Sequence, residues 1–144
     1  MNSDIWNVII KVSISILLSS LIGLEREYRQ KMAGLRTHIL VGVGSTLIVL
    51  TSLFLFDIYH AKTPVDPTRM IAGIITGIGF LCAGAIIKAG DNVFGLTTAA
   101  TLWIVSCIGI SVGAGHYTAA FVGTILVVFV LTGVRFVEDN IRKK

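Results

Sequence analysis

Two apolar runs, residues 5–24 and 39–56, flank a charged island, GLEREYRQKMAGLRTH, at residues 23–38. At about 1.5 Å of rise per residue, each run is long enough to cross a hydrocarbon core of roughly 30 Å as a helix. The island between them is then a short loop at a membrane surface. It holds Arg26, Arg29, Lys31 and Arg36, and short loops rich in Lys and Arg stay on the cytoplasmic side.

Composition excludes a water-soluble domain. Over 144 residues the chain is 54% hydrophobic and 14% charged, whereas soluble domains carry about 25% charge. A net charge of +4 would suggest nucleic acid in a soluble protein. Here the basic residues cluster beside apolar spans, so they report topology and contact with anionic headgroups, and the expected partner is the lipid bilayer. Cys82 and Cys107 lie inside apolar runs, which speaks for small packing residues and against a disulfide frame. The first run is too long for a signal peptide, lacks a basic segment before it and ends in Glu25-Arg26-Glu27, so it is expected to be retained.

The pattern predicts an all-α integral membrane protein, a bundle of about five transmembrane helices in a single domain over residues 1–144. The first helix covers residues 4–23, with Lys11 close enough to its end to snorkel to the interface. The second covers 37–56. A turn around Pro64 and Pro67 precedes the third, which is expected to reach Lys88. Gly73 and Gly77 stand at GxxxG spacing on it, with Gly84 nearly on the same stripe. Small residues on one stripe let a second backbone approach in lipid, which marks the third helix as the candidate centre of the bundle. The loop 89–95 leads to a fourth helix over 96–113, where Gly109 and Gly113 repeat the four-residue spacing, and a fifth covers 117–134.

Five spans put the termini on opposite sides. The first loop, Lys88 and a basic C-terminal tail then share one side, while the other holds Lys62 and Arg69. That bias sets the N-terminus outside and the C-terminus inside. Gly34-Leu35-Arg36-Thr37 before the second helix is echoed by Gly95-Leu96-Thr97-Thr98 before the fourth, as two hairpins of one design would show.

Two helix N-termini converge on the inner side, where Thr37, Thr97 and Thr98 could cap them and Arg36 and Arg26 could draw an anion. Plain capping explains the same residues. Glu25, Glu27 and Asp91 point instead to Mg²⁺, which takes one or two carboxylates and keeps several waters, although neighbouring arginines neutralise Glu25 and Glu27 equally well. No acidic or amide side chain stands in mid-span, where a cation route would need one. His38, His60 and His116 are scattered, no nucleophile stands with a base, and no P-loop is present. An enzyme is not expected, nor a resident cofactor, with Mg²⁺ the one candidate ion.

GLERE, AGLRTH, the Asp66-Pro67-Thr68-Arg69 start of the third helix, GIGFLCAG and GLTTAATLW follow in order over residues 23–103. Together they resemble the N-terminal membrane domain of the MgtC/SapB family. The resemblance implies a bacterial inner-membrane protein linked to growth under magnesium limitation and to virulence. Its members are named as magnesium transporters, yet the best known are regarded as regulators that bind the ATP synthase. It implies functional positions at Glu25, Arg26, Glu27, Arg36, Thr37, His38, Asp66 and Arg69, with Gly95, Thr97 and Thr98 in the second block. Many relatives continue into a soluble C-terminal domain, which is not expected within these 144 residues.

Two functions fit. One is a regulator acting by helix contact with a larger complex such as the ATP synthase, using the glycine faces of the third and fourth helices. The other is a small transporter or channel for Mg²⁺ or another solute, with Glu25, Arg36, Asp91 and Thr97 at its mouth. The same glycine faces suit a homo-oligomer.

Overall fold

The computed structural model describes residues 2–134, so the charged tail from Arg135 to Lys144 lies outside the described residues. The described residues form five helices and one small hairpin: α1 (Asn2–Tyr28), α2 (Leu35–Tyr59), α3 (Thr68–Gly84), β1 (Ile87–Ala89), β2 (Asn92–Phe94), α4 (Leu96–Gly113) and α5 (Tyr117–Phe129). A π-helical turn, Val130–Val134, prolongs α5. Among the described residues four helices are long and apolar enough to cross a membrane, and α3, at seventeen residues, is shorter.

The charged island is mostly helix. α1 runs on to Tyr28 and carries Glu25, Arg26 and Glu27 with it. It ends in a Schellman turn: Lys31 N–H donates to the Arg26 carbonyl at 3.0 Å, Gln30 N–H to that of Glu27 at 2.9 Å, and Gln30 takes the left-handed conformation at φ 52°.

The third helix also differs from expectation. It stops at Gly84, and residues 87–94 form an antiparallel pair with Ala89 opposite Asn92. Gly90, at φ 61°, supplies the positive φ that a two-residue hairpin turn needs. Gly95, at φ 86°, then packs so close to the Ala85 carbonyl that a side chain there would overlap it. The hairpin is pinched shut at its base, and α4 starts directly from Gly95.

α4, and not α3, is the centre of the bundle. It touches each of the other four helices, and ten of its eighteen residues are buried against two of α3's seventeen. The glycines explain the difference. Gly109 abuts the Gly42 backbone of α2, and Gly113 lies against Thr46 and Val49, so α2 and α4 meet backbone to backbone. Gly73, Gly77 and Gly84 have no neighbouring atom within 4 Å of where a side chain would begin, so the α3 stripe faces outward.

The bundle is apolar outside and hydroxyl-rich within. Ile16, Leu17, Leu21, Leu40, Leu47 and Phe54 are exposed, whereas Ser15, Ser19, Ser45, Thr46, Ser52, Thr98, Thr101 and Ser106 are buried. Leu18, Ile22, Val105, Ile108, Val112 and Ala120 form the apolar part of the core. Lipid tails cannot drive helices together by the hydrophobic effect, so close backbone approach and interhelical hydrogen bonds hold such a bundle instead.

Candidate functional site

The N-terminal ends of α2 and α4 lie side by side at the end of the bundle where α1 finishes. Gly34 and Gly95 occupy the two N-cap positions, so the repeated Gly-Leu pair marks two equivalent helix starts. Neither helix is capped by its own threonine. The first free N–H of α2, that of Leu35, donates instead to Glu27 Oε2 at 3.0 Å across the turn. A side chain at Gly34 would overlap that carboxylate oxygen, which is why glycine suits the position.

Arg26 is buried to 3% exposure. Its guanidinium pairs with Glu25 Oε2, and Arg29 Nε approaches Glu25 Oε1 at 3.4 Å. A buried guanidinium needs such a partner, because an unpaired charge out of water costs several kcal/mol. Glu25 is therefore occupied by Arg26 and Arg29, and no ion pair joins it to Arg36, which is exposed. Arg26 is neutralised in place, so the expected anion pocket does not assemble. The expected Mg²⁺ carboxylates are likewise apart: Glu27 caps α2, and Asp91 is exposed at the hairpin tip. Among the described residues no group of three His, Cys, Asp or Glu side chains is placed to hold a metal ion.

His38 is the deepest of the motif residues, at 0% exposure. Its Nδ1 lies 2.8 Å from the Gly34 carbonyl and its Nε2 lies 3.1 Å from Thr101 Oγ1. Thr101 Oγ1 in turn lies 2.8 Å from the Thr98 carbonyl. Thr98 is buried, Thr37 half-buried, and Thr97 exposed. Glu25, Arg26, Glu27, His38, Gly95 and Thr98 thus gather at one end.

Asp66 and Arg69 belong to the other end. Asp66 Oδ1 accepts from the Thr68 N–H at 2.9 Å and the Thr68 hydroxyl at 2.6 Å, which opens α3. These bonds, the hydroxyl first, hold the Asp66 carboxyl below the usual carboxylate range. Ser52 Oγ donates to the Pro67 carbonyl at 2.8 Å, so this turn sits fourteen residues along α2 from His38, or about 21 Å. The motif is split between the two ends of the bundle.

Sequence reasoning missed the polar seam that joins those ends. Thr46 Oγ1 lies within 3.0 Å of the carbonyls of Gly42 and Gly109, and Ser45 and Ser106 share a hydrogen bond of 2.9 Å. Ser15 and Ser19 are fully buried with no hydrogen-bond partner. Lys11 does not snorkel along lipid: it passes through the bundle and donates to the Gly113 carbonyl at 2.8 Å. The readable signal is spacing, since Lys11, Ser15, Ser19 and Arg26 share one helical stripe of α1, as His38, Gly42, Ser45 and Ser52 do on α2.

A family model described as the MgtC family matches residues 12–140. The chain belongs to the MgtC family. It is 39% identical over 125 residues to a protein of Escherichia coli K12 named putative magnesium transporter YhiD, covering 85% of this chain and 58% of that one. It is 44% identical over 119 residues to protein MgtC of Salmonella typhimurium LT2, covering 83% of this chain and 48% of that protein. The chain thus spans about half the length of these curated relatives. No solved structure matches it. Family membership and the apolar helices make it a membrane protein of that family.

Proposed function

We propose that this MgtC-family chain is a five-span protein of the bacterial inner membrane, N-terminus outside and C-terminus inside. In this reading it serves magnesium homeostasis as a regulator, without enzymatic chemistry or a resident cofactor, by docking against a helix of a larger membrane complex such as the ATP synthase. The carrying observation is a groove of about 630 Å³ between α2 and α3, lined by Gly44, Gly73 and Gly77 together with Ile48, Ile74 and Ile78. None of the three glycines has a neighbour within 4 Å of its missing side chain. Glycine on two adjacent helices, left open in the bilayer, is the surface a partner helix needs for close approach.

The interior argues against passage of Mg²⁺. Its seam offers hydroxyls and carbonyls with the Lys11 ammonium buried near one end, and that positive charge opposes a dication. Mg²⁺ also calls for carboxylates and sheds water reluctantly. The transporter reading draws on the polarity of that seam and on the name of the Escherichia coli relative. One experiment separates the two. Cross-linking from native membranes is expected to capture a defined complex with the wild type and to lose it with Gly77→Leu, while folded protein in liposomes moves no Mg²⁺. Mg²⁺ flux above protein-free vesicles, abolished by Glu25→Gln, would overturn the regulator reading. Capture of a second copy alone would make the groove a dimer face.

A further inference from the structure

The hydrogen positions around His38 are over-determined. The Gly34 carbonyl can only accept, so Nδ1, 2.8 Å away, carries a proton. Nε2 faces Thr101 Oγ1, and that hydroxyl has a second partner in the Thr98 carbonyl. Two arrangements of the protons are open. In the neutral ring Nε2 accepts the Thr101 hydroxyl proton, and the Thr98 carbonyl loses that donor. In the imidazolium Nε2–H donates to Thr101 Oγ1, whose hydroxyl turns to the Thr98 carbonyl. Only in the second are all three contacts made at once.

The geometry points to His38 as a proton-binding site, occupied and vacated by rotation of the Thr101 hydroxyl. The ligand is a proton entering from the α1–α2 turn, whose Gln30, Lys31 and Met32 are exposed, one helical turn from the ring. It adds to the Nε2 lone pair, with no bond between heavy atoms made or broken. The charged groups that act on the ring, Arg26 and Glu25, come from α1 and are paired with each other, with Arg29 at the other Glu25 oxygen. α4 contributes Thr98 and Thr101, and Arg36 on α2 itself is exposed. Because Nδ1 binds the N-cap residue of α2 and Nε2 binds the first turns of α4, proton occupancy is read by both helix starts. This site stands independently of the docking groove, which lies on the α3 side of α2.

The chain holds three histidines, so the double variant His60→Asn, His116→Asn leaves His38 alone. That protein, ¹⁵N-labelled at histidine in lipid nanodiscs, is expected to keep Nδ1 protonated throughout. Its Nε2 resonance is expected to pass from the bare to the protonated position as pH falls from about 8 to about 4, a window that takes in the ordinary imidazole range of about 5 to 8 and the acid side of it. Thr101→Val is expected to displace that midpoint and Thr101→Ser to return it. A bare Nδ1 at any pH, an Nε2 fixed in one state across the range, or a midpoint indifferent to Thr101→Val in a variant that still folds would each overturn the assignment.

Discussion

The Lys11 ammonium caps α4 from another helix, donating to the Gly113 carbonyl at 2.8 Å across 102 positions of sequence. That carbonyl belongs to the last turn of α4, where carbonyls lack intrahelical donors and the helix dipole is negative. Lys11→Met keeps most of the stem and removes the donor. It is expected to cost about 1–3 kcal/mol in denaturant unfolding in micelles, the usual range for a charged hydrogen bond. Lys11→Glu, which sets a carboxylate against the carbonyl, is expected to reduce folded protein in the membrane fraction sharply.

Glycines at the same four-residue spacing are expected to respond with opposite signs. A Cβ at Gly109 would overlap the Gly42 carbonyl and meet Ser45 Cβ at 2.9 Å. Backbone cannot swing aside, so Gly109→Ala is expected to destabilise by about 1–3 kcal/mol. Gly77 opens on empty space, and Gly77→Ala removes unfolded-state freedom, for a gain of up to about 1 kcal/mol. Thermal unfolding of both variants in one detergent checks the order; equal responses would contradict the assignment of α4 as the central helix.

Apolar runs carried the helical bundle and, to within two residues, the starts of α2 and α4, because length and charge gaps alone decide those. It could not rank glycine stripes: Gly73/Gly77 and Gly109/Gly113 look alike in sequence, and only tertiary contact shows which pair meets a backbone. The hairpin at 87–94 was hidden because Ile86 and Ile87 continue the apolar pattern of α3 without a break up to Lys88. At the site, pairing of Glu25 with a neighbouring arginine was legible in the alternating signs of Glu25, Arg26, Glu27 and Arg29, whereas the choice of Arg26 over Arg36 and the burial of His38 were not, since side chains within one turn of a membrane surface can point to water or inward. The stripe of Lys11, Ser15 and Ser19 was legible but passes for harmless small polar residues in an apolar helix.

Glu27 and Gly34 act as one unit, because the carboxylate that caps Leu35 occupies the space a side chain at Gly34 would fill. Glu27→Ala removes the cap and is expected to cost about 1 kcal/mol. Gly34→Ala displaces the same carboxylate. A double-mutant cycle is expected to show strong non-additivity, with the double variant no less stable than Glu27→Ala alone.

Asp66 gives the opposite end an acid-sensitive turn. Its carboxyl is held below the usual range by the Thr68 hydroxyl, then the Thr68 N–H, with Arg69 adding attraction. A lowered folded value means the contribution is whole above the unfolded value of about 3.9 and fades as pH falls through the folded one. Stability measured from about pH 5 downward is therefore expected to decline less steeply in Asp66→Asn than in wild type. The group is fully exposed, so the difference is one of slope in the acid limb, and coincident curves would remove Asp66 from the account of that turn.

Glu25 matters through Arg26 and not through Arg36. Arg26 is 3% exposed and its carboxylate partner comes from the adjacent residue, with Arg29 approaching the other oxygen at 3.4 Å. Glu25→Gln leaves the buried charge without its counter-ion, a change that costs about 3–5 kcal/mol where desolvation is complete. Arg36→Ala touches an exposed side chain and is expected to stay within about 0.5 kcal/mol of wild type. The exchange Glu25→Arg with Arg36→Glu is accordingly expected to rescue nothing, since the new carboxylate lies outside the pair. Yield and unfolding midpoint of the three variants decide this, and recovery in the exchanged protein would mean that α1 and α2 are tied across the turn by a pair the structure does not contain.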